Sequence, residues 1–279
     1  MKPYLPLAII LVTSSAANAV TPQVGDVSDR RTTGQFFNDL EVEMKLQGED
    51  VADIRYVKVN IEEAKDDTGK DLIKTDRSMT FTDKYTEISE FNSAKNLKIN
   101  LKNPSRKAVT FDVKGTINTV IPAKDPTSIV SIKKISSSTG KAIENPVLKA
   151  AKIEFKILTD ADLQKIKDEE KKKSEEAAKK QGVAPSMVSM FQQVFMGDGA
   201  IKPNQLRVSK SDPDSRLVSF KILKVDGKEV RSNGWSGQEE MRVYGFSEDI
   251  PQDATIELIV ATDKAMEKIP FAFTSVYLP

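Results

Sequence analysis

Residues 40–46 read Leu40-Glu41-Val42-Glu43-Met44-Lys45-Leu46, with four apolar side chains at every second position and charges between them. A strand turns successive side chains to opposite faces, so this spacing predicts a β-strand with one dry face and one wet face. The same beat recurs outward along the chain. Val57, Val59 and Ile61 keep it, as do Leu97, Ile99 and Leu101, and then Val109, Phe111 and Val113. Further candidate strands lie at 117–121, 129–135 and 153–158. Thr68-Gly69, Asn103-Pro104, Thr139-Gly140 and Asn145-Pro146 punctuate these runs, as turns between short antiparallel strands do. Gly69, Gly115 and Gly140 read as turn or bulge positions.

The rhythm breaks at Thr159. Thr159 and Asp162 have the spacing of an acidic capping box, and residues 164–181 (QKIKDEEKKKSEEAAKKQ) are nearly all helix formers. Opposite charges stand four apart at Asp168/Lys172, Glu169/Lys173, Glu175/Lys179 and Glu176/Lys180, which predicts a solvated helix or helical linker. Gly182 and Pro185 end it. A second helix is expected over 185–196, where Met187, Met190, Phe191, Val194 and Phe195 fall on one face. Strand rhythm returns from Leu206, with Arg216–Val225 leading into the hairpin signal Asp226-Gly227, followed by 241–246, 255–261 and 269–278.

The expected fold is therefore mainly β. It comprises two antiparallel Greek-key sandwich modules, at 20–158 and 200–279, with a helical segment at 159–199 between them or inserted. The last quarter, with Asp212-Pro213, Asp226-Gly227-Lys228 and Ile269-Pro270-Phe271…Leu278-Pro279, resembles the Ig-like β-sandwich modules of exported bacterial proteins of unassigned function. That resemblance implies a sandwich and carries over no catalytic or binding residue, since its motifs are turn chemistry.

The N-terminus predicts export. Lys2, the apolar run Tyr4–Val12 and Ala17-Asn18-Ala19 have the order of a signal peptide over residues 1–19, and the run is too short to span a bilayer. No later run approaches the ~18 apolar residues of a membrane helix, so no transmembrane segment is expected after signal removal. A periplasmic or secreted protein follows.

Composition removes whole chemistries. The chain has no His and no Cys, so it holds no Ser-His-Asp triad, imidazole base, thiol nucleophile, thiolate metal site or disulfide. Its 42 basic and 41 acidic side chains balance, whereas nucleic-acid binding needs concentrated positive charge, so no nucleic-acid partner is expected. No cofactor motif is present.

Four places remain as candidate sites. Asp67-Thr68-Gly69 has the aspartic-protease triplet but lacks the apolar residues that would desolvate the carboxyl, and a polar turn explains it. Asp67 is still the residue on which a carboxylate-dependent hydrolase would rest. Asp66, Asp67 and Asp71 together are a candidate Ca²⁺ set, although their spacing is not that of an EF-hand. Trp235, the single Trp, stands in the Gly-rich stretch Ser232–Gly237, where an indole can face a glycan or protein partner or else turn into the core. The Met187, Met190, Phe191 and Phe195 face either packs on the chain's own sheet or docks a larger complex. The sequence thus points to an exported binding or envelope-scaffold protein without a convincing catalytic constellation.

Overall fold

A computed structural model describes residues 20–32, 38–74, 85–88, 96–166, 168–169, 172, 201–237 and 241–279. The fold is mainly β and entirely antiparallel in its described ladders. The chain divides into two compact units: unit 1 is 1–126 with 263–279, and unit 2 is 127–262.

Unit 1 has two sheets. One has the order β1 (Thr21–Arg30), β2 (Asp39–Gln47), β5 (Asn96–Leu101). The other has the order β14 (Met266–Tyr277), β6 (Thr110–Val120), β3 (Tyr56–Asp66), β4 (Thr86–Glu87). The dry faces of both sheets close on one core. Leu40, Val42, Met44 and Leu46 of β2 meet Leu97, Ile99 and Leu101 of β5 from one side, with Val59, Phe111, Val113, Phe271 and Phe273 from the other. Each such side chain removed from water contributes about 1.5–3 kcal/mol, which is why the alternation in 40–46 governs the fold. The wet face of β2 carries the expected charges, with Lys98 Nζ donating to Glu41 at 2.8 Å and Asn96 donating to Glu43 at 2.7 Å.

Unit 2 repeats the plan. One sheet runs β10 (Leu217–Leu223), β13 (Thr255–Val260), β7 (Ile129–Ile132). The other runs β11 (Ser232–Gly237), β12 (Met241–Phe246), β9 (Gln205–Ser211), β8 (Glu154–Ile157). Phe155, Ile157, Leu206, Val208, Phe246, Ile256 and Leu258 form its core.

The module boundaries expected at 158 and 200 are corrected here. β7 and β8, assigned by rhythm to an N-terminal module, pair with β13 and β9 of unit 2. The last strand, β14, leaves the supposed C-terminal module and pairs with β6 of unit 1 over Met266–Tyr277. Alternation states which face of a strand is dry, but nothing about which remote strand completes the sheet.

Two glycines behave differently from each other. Gly69 takes positive φ (85°) in a turn, as expected. Gly115 lies mid-strand in β6, not at a turn. An added Cβ there would come within 2.1 Å of the Asn60 carbonyl oxygen, beside the register shift between Ile61 and Glu63 of the facing β3. The bulge is thus on β3, and Gly115 is the bare backbone that lets the bulged strand approach.

The capping box forms. The Asp162 N–H donates to the Thr159 hydroxyl oxygen at 3.0 Å, the Thr159 N–H donates to Asp162 Oδ2 at 3.0 Å, and helix follows over 160–166. Residues 1–19, most of the charged segment and the whole of 185–196, with Met187, Met190, Phe191 and Phe195, lie outside the described residues. No described helix is long and apolar enough to cross a membrane.

Candidate functional site

The aspartate turn is explained by its backbone. Asp66 ends β3, and its side chain is buried, 4% exposed. Its Oδ1 accepts the Thr68 N–H (3.0 Å), the Thr68 hydroxyl (2.7 Å) and the Lys70 N–H (2.9 Å), while Oδ2 accepts the Ser105 N–H (2.7 Å). Burial works to raise this carboxyl's pKa. The donors from Thr68, Ser105 and Lys70 outweigh it and hold the group below its ordinary value. Asp67 Oδ2 accepts the Val109 and Thr110 N–H groups at 3.0 and 3.3 Å, and Asp71 Oδ1 accepts the Ile73 N–H at 3.1 Å. The three carboxylates therefore serve three separate stretches of backbone.

That arrangement corrects the Ca²⁺ expectation for Asp66, Asp67 and Asp71. A cation needs their oxygens converging on one point, and among the described residues no group of three or more acidic side chains does so. Asp67 likewise serves the backbone, its Oδ2 anchoring the start of β6.

Trp235 lies on a strand rather than in a loop. It stands opposite Tyr244 on β12, and Gly237 stands opposite Arg242. Residues 242, 244 and 246 share a face, so Trp235 and Arg242 lie on the core-side face of this sheet. Phe220 covers that face at Tyr244, with ring centroids 4.6 Å apart, and the face opens toward Trp235, which is 48% exposed. Arg242 reaches diagonally so that its Cζ sits 4.0 Å from the Trp235 ring centroid. A guanidinium so placed is held to the indole by about 0.5–1 kcal/mol. Its Nε is shielded from solvent and has no hydrogen-bond partner among the described residues.

The strand bearing Trp235 is an open edge. β11 has β12 on one side and no described strand on the other, and all six of its residues are exposed. Sheet edges are ordinarily guarded by charge, proline or brevity. Here β1 carries Asp26, Asp29 and Arg30, β5 carries Lys98, β8 carries Glu154 and Lys156, β10 carries Lys221, β14 carries Lys268 and Pro270, and β4 and β7 are short. β11, Ser-Asn-Gly-Trp-Ser-Gly, carries no charge and no proline. Gly237 is required where it stands, because it takes φ 111° and a Cβ would meet the Met241 carbonyl oxygen at 2.5 Å.

Sequence reasoning missed a second feature of unit 2, an open cavity of ≈ 1110 Å³ between residues 142–154 and the β8–β9 pair. Lys149, Lys152, Lys156 and Lys210 line it with Glu144 and Glu154. Two of these lysines are engaged at its rim, Lys156 with Asp162 at 2.7 Å and Lys152 with Asp214 at 3.1 Å, so the cavity has little net charge to select a ligand. No single stretch of sequence signals it, because its walls come from segments some sixty residues apart.

Compared with protein-family models, curated proteins and solved structures, the chain matches none.

Proposed function

We propose that this chain is an exported, non-catalytic binding or scaffold protein of the bacterial envelope, periplasmic or secreted, whose contact surface is the β11 edge of unit 2. The observation that carries the reading is a half-exposed indole on an unguarded edge strand, with a guanidinium stacked against it. Trp and Arg are among the residues that supply most interface energy, and an edge without charge or proline leaves its backbone open to a partner. The order of charge, apolar run and Ala-x-Ala at residues 1–19 supports export, and the paired sheets of each unit suit the Ig-like modules that the last quarter resembles. Partners of this class are envelope proteins or glycans.

The test places a photo-crosslinking side chain at Ser236 and, as a control, at Val225 on the exposed hairpin tip, in the cells that make the protein. A discrete adduct from 236 and none from 225 is expected. Equal patterns at both positions would remove the edge as a site. Turnover of a peptide, glycan or ester panel, abolished by one point substitution, would overturn the non-catalytic reading.

A further inference from the structure

Taking the β11 edge as the contact surface, we infer that its occupant is an extended polypeptide that adds a strand beside β11 and carries an acidic side chain two residues from an apolar one. The backbone supplies the first half of the argument. β11 is exposed along its whole length and lacks the charges and proline that repel an incoming strand, so main-chain donors and acceptors of a peptide can pair with it. A glycan has no such ladder to offer.

The side chains supply the second half. A strand added at ~4.8 Å from β11 places the residues opposite Trp235 and Gly237 on the face that carries Trp235 and Arg242. Opposite Trp235, an apolar side chain covers the indole. Opposite Gly237 nothing on β11 intervenes, and Arg242 already leans over β11 to lie 4.0 Å from the Trp235 ring. A carboxylate arriving there meets the positive charge of the guanidinium that lies over the Trp235 ring. Period-two spacing of the two partner residues follows from the pleat, since only alternate side chains share a face.

The experiment selects random ten-residue peptides on the full chain and titrates the enriched ones while following the emission of Trp235, the only Trp. Enrichment of Asp or Glu two residues from an apolar residue is expected, together with a change in Trp235 emission on binding. N-methylation of the peptide backbone at alternate positions is expected to abolish binding on one register only. Arg242→Gln should weaken binding about tenfold, the loss of a charge-assisted hydrogen bond, with Arg242→Lys between the two. Melting of both variants is measured alongside; weakening with unchanged melting supports the inference. Enrichment without acidic residues, indifference to N-methylation, or equal affinity of Arg242→Gln would overturn it. The same emission is read against neutral oligosaccharides of glucose and N-acetylglucosamine. A response to these and not to peptides keeps the edge as the site and sinks the peptide partner, whereas no response to either class sinks the edge as well. A chain that dimerises through β11 at assay concentration, with peptides failing to compete, replaces the peptide by a second copy and overturns the inference.

Discussion

Replacing Asp66 by Asn separates a structural carboxylate from a functional one. The wild-type group accepts four donors at 2.7–3.0 Å from a buried position. The variant's amide oxygen can keep the three donors now on Oδ1. Its NH₂ then faces the Ser105 N–H, formerly 2.7 Å from Oδ2, donor to donor. One charge-assisted hydrogen bond disappears, worth about 1.5–3 kcal/mol, and an unsatisfied N–H is left behind. The expected loss is therefore about 2–4 kcal/mol, confined to unit 1. Urea unfolding at neutral pH followed by far-UV circular dichroism measures it as a lower midpoint, while Trp235, which lies in unit 2, reports that unit separately. The pH dependence has a defined sign. Because the folded carboxyl sits below its ordinary value, its contribution is present above the unfolded pKa of about 3.9 and fades as pH falls through the folded value, so wild type and Asp66→Asn should converge in acid. A loss under about 0.5 kcal/mol at neutral pH, or a gap that persists in strong acid, would refute this account of the turn.

Gly115→Ala should lower stability by about 1–3 kcal/mol or prevent folding, because the added methyl meets the Asn60 carbonyl, and thermal melting of the variant checks it. Phe111→Ala, which empties a fully buried site in the unit 1 core, should cost about 3–5 kcal/mol by the same measurement. Hydrogen bonds from Lys114 and then Lys65 hold Glu63 down at about 2, so carbon-detected NMR should show its carboxyl titrating near there. Its stabilising effect is present above the ordinary Glu value and lost only as pH falls toward 2. Thr159→Ala removes one half of the capping box and should cost about 1 kcal/mol, read as faster amide exchange over 160–166.

What the sequence made legible was local. The alternation in 40–46 named the buried face of β2 residue by residue, because burial and strand period are both properties of neighbours in the chain. Thr159 and Asp162 gave the helix start for the same reason. The partner of β14 was not legible. Phe271 and Phe273 announce a dry face but not that β6, some 150 residues earlier, would receive it. Gly115 read as a turn or a bulge position, but that the bulge lies on the facing β3 and not on its own strand was not legible, because it depends on the pairing of two strands remote in sequence. The aspartates of 66–71 looked like ligands because spacing along the chain does not show that each carboxylate already accepts from a backbone N–H. Trp235 stood out by composition, but its exposure on an edge strand and the guanidinium of Arg242 beside it required the register of β11 on β12.

Amide hydrogen exchange of the full chain, with and without a saturating selected peptide or the partner crosslinked at 236, tests the central claim most directly. Slowed exchange confined to 232–237 and the adjoining 241–246 is expected. Protection centred instead on the lysine-lined cavity at 142–156, with 232–237 unchanged, would contradict it.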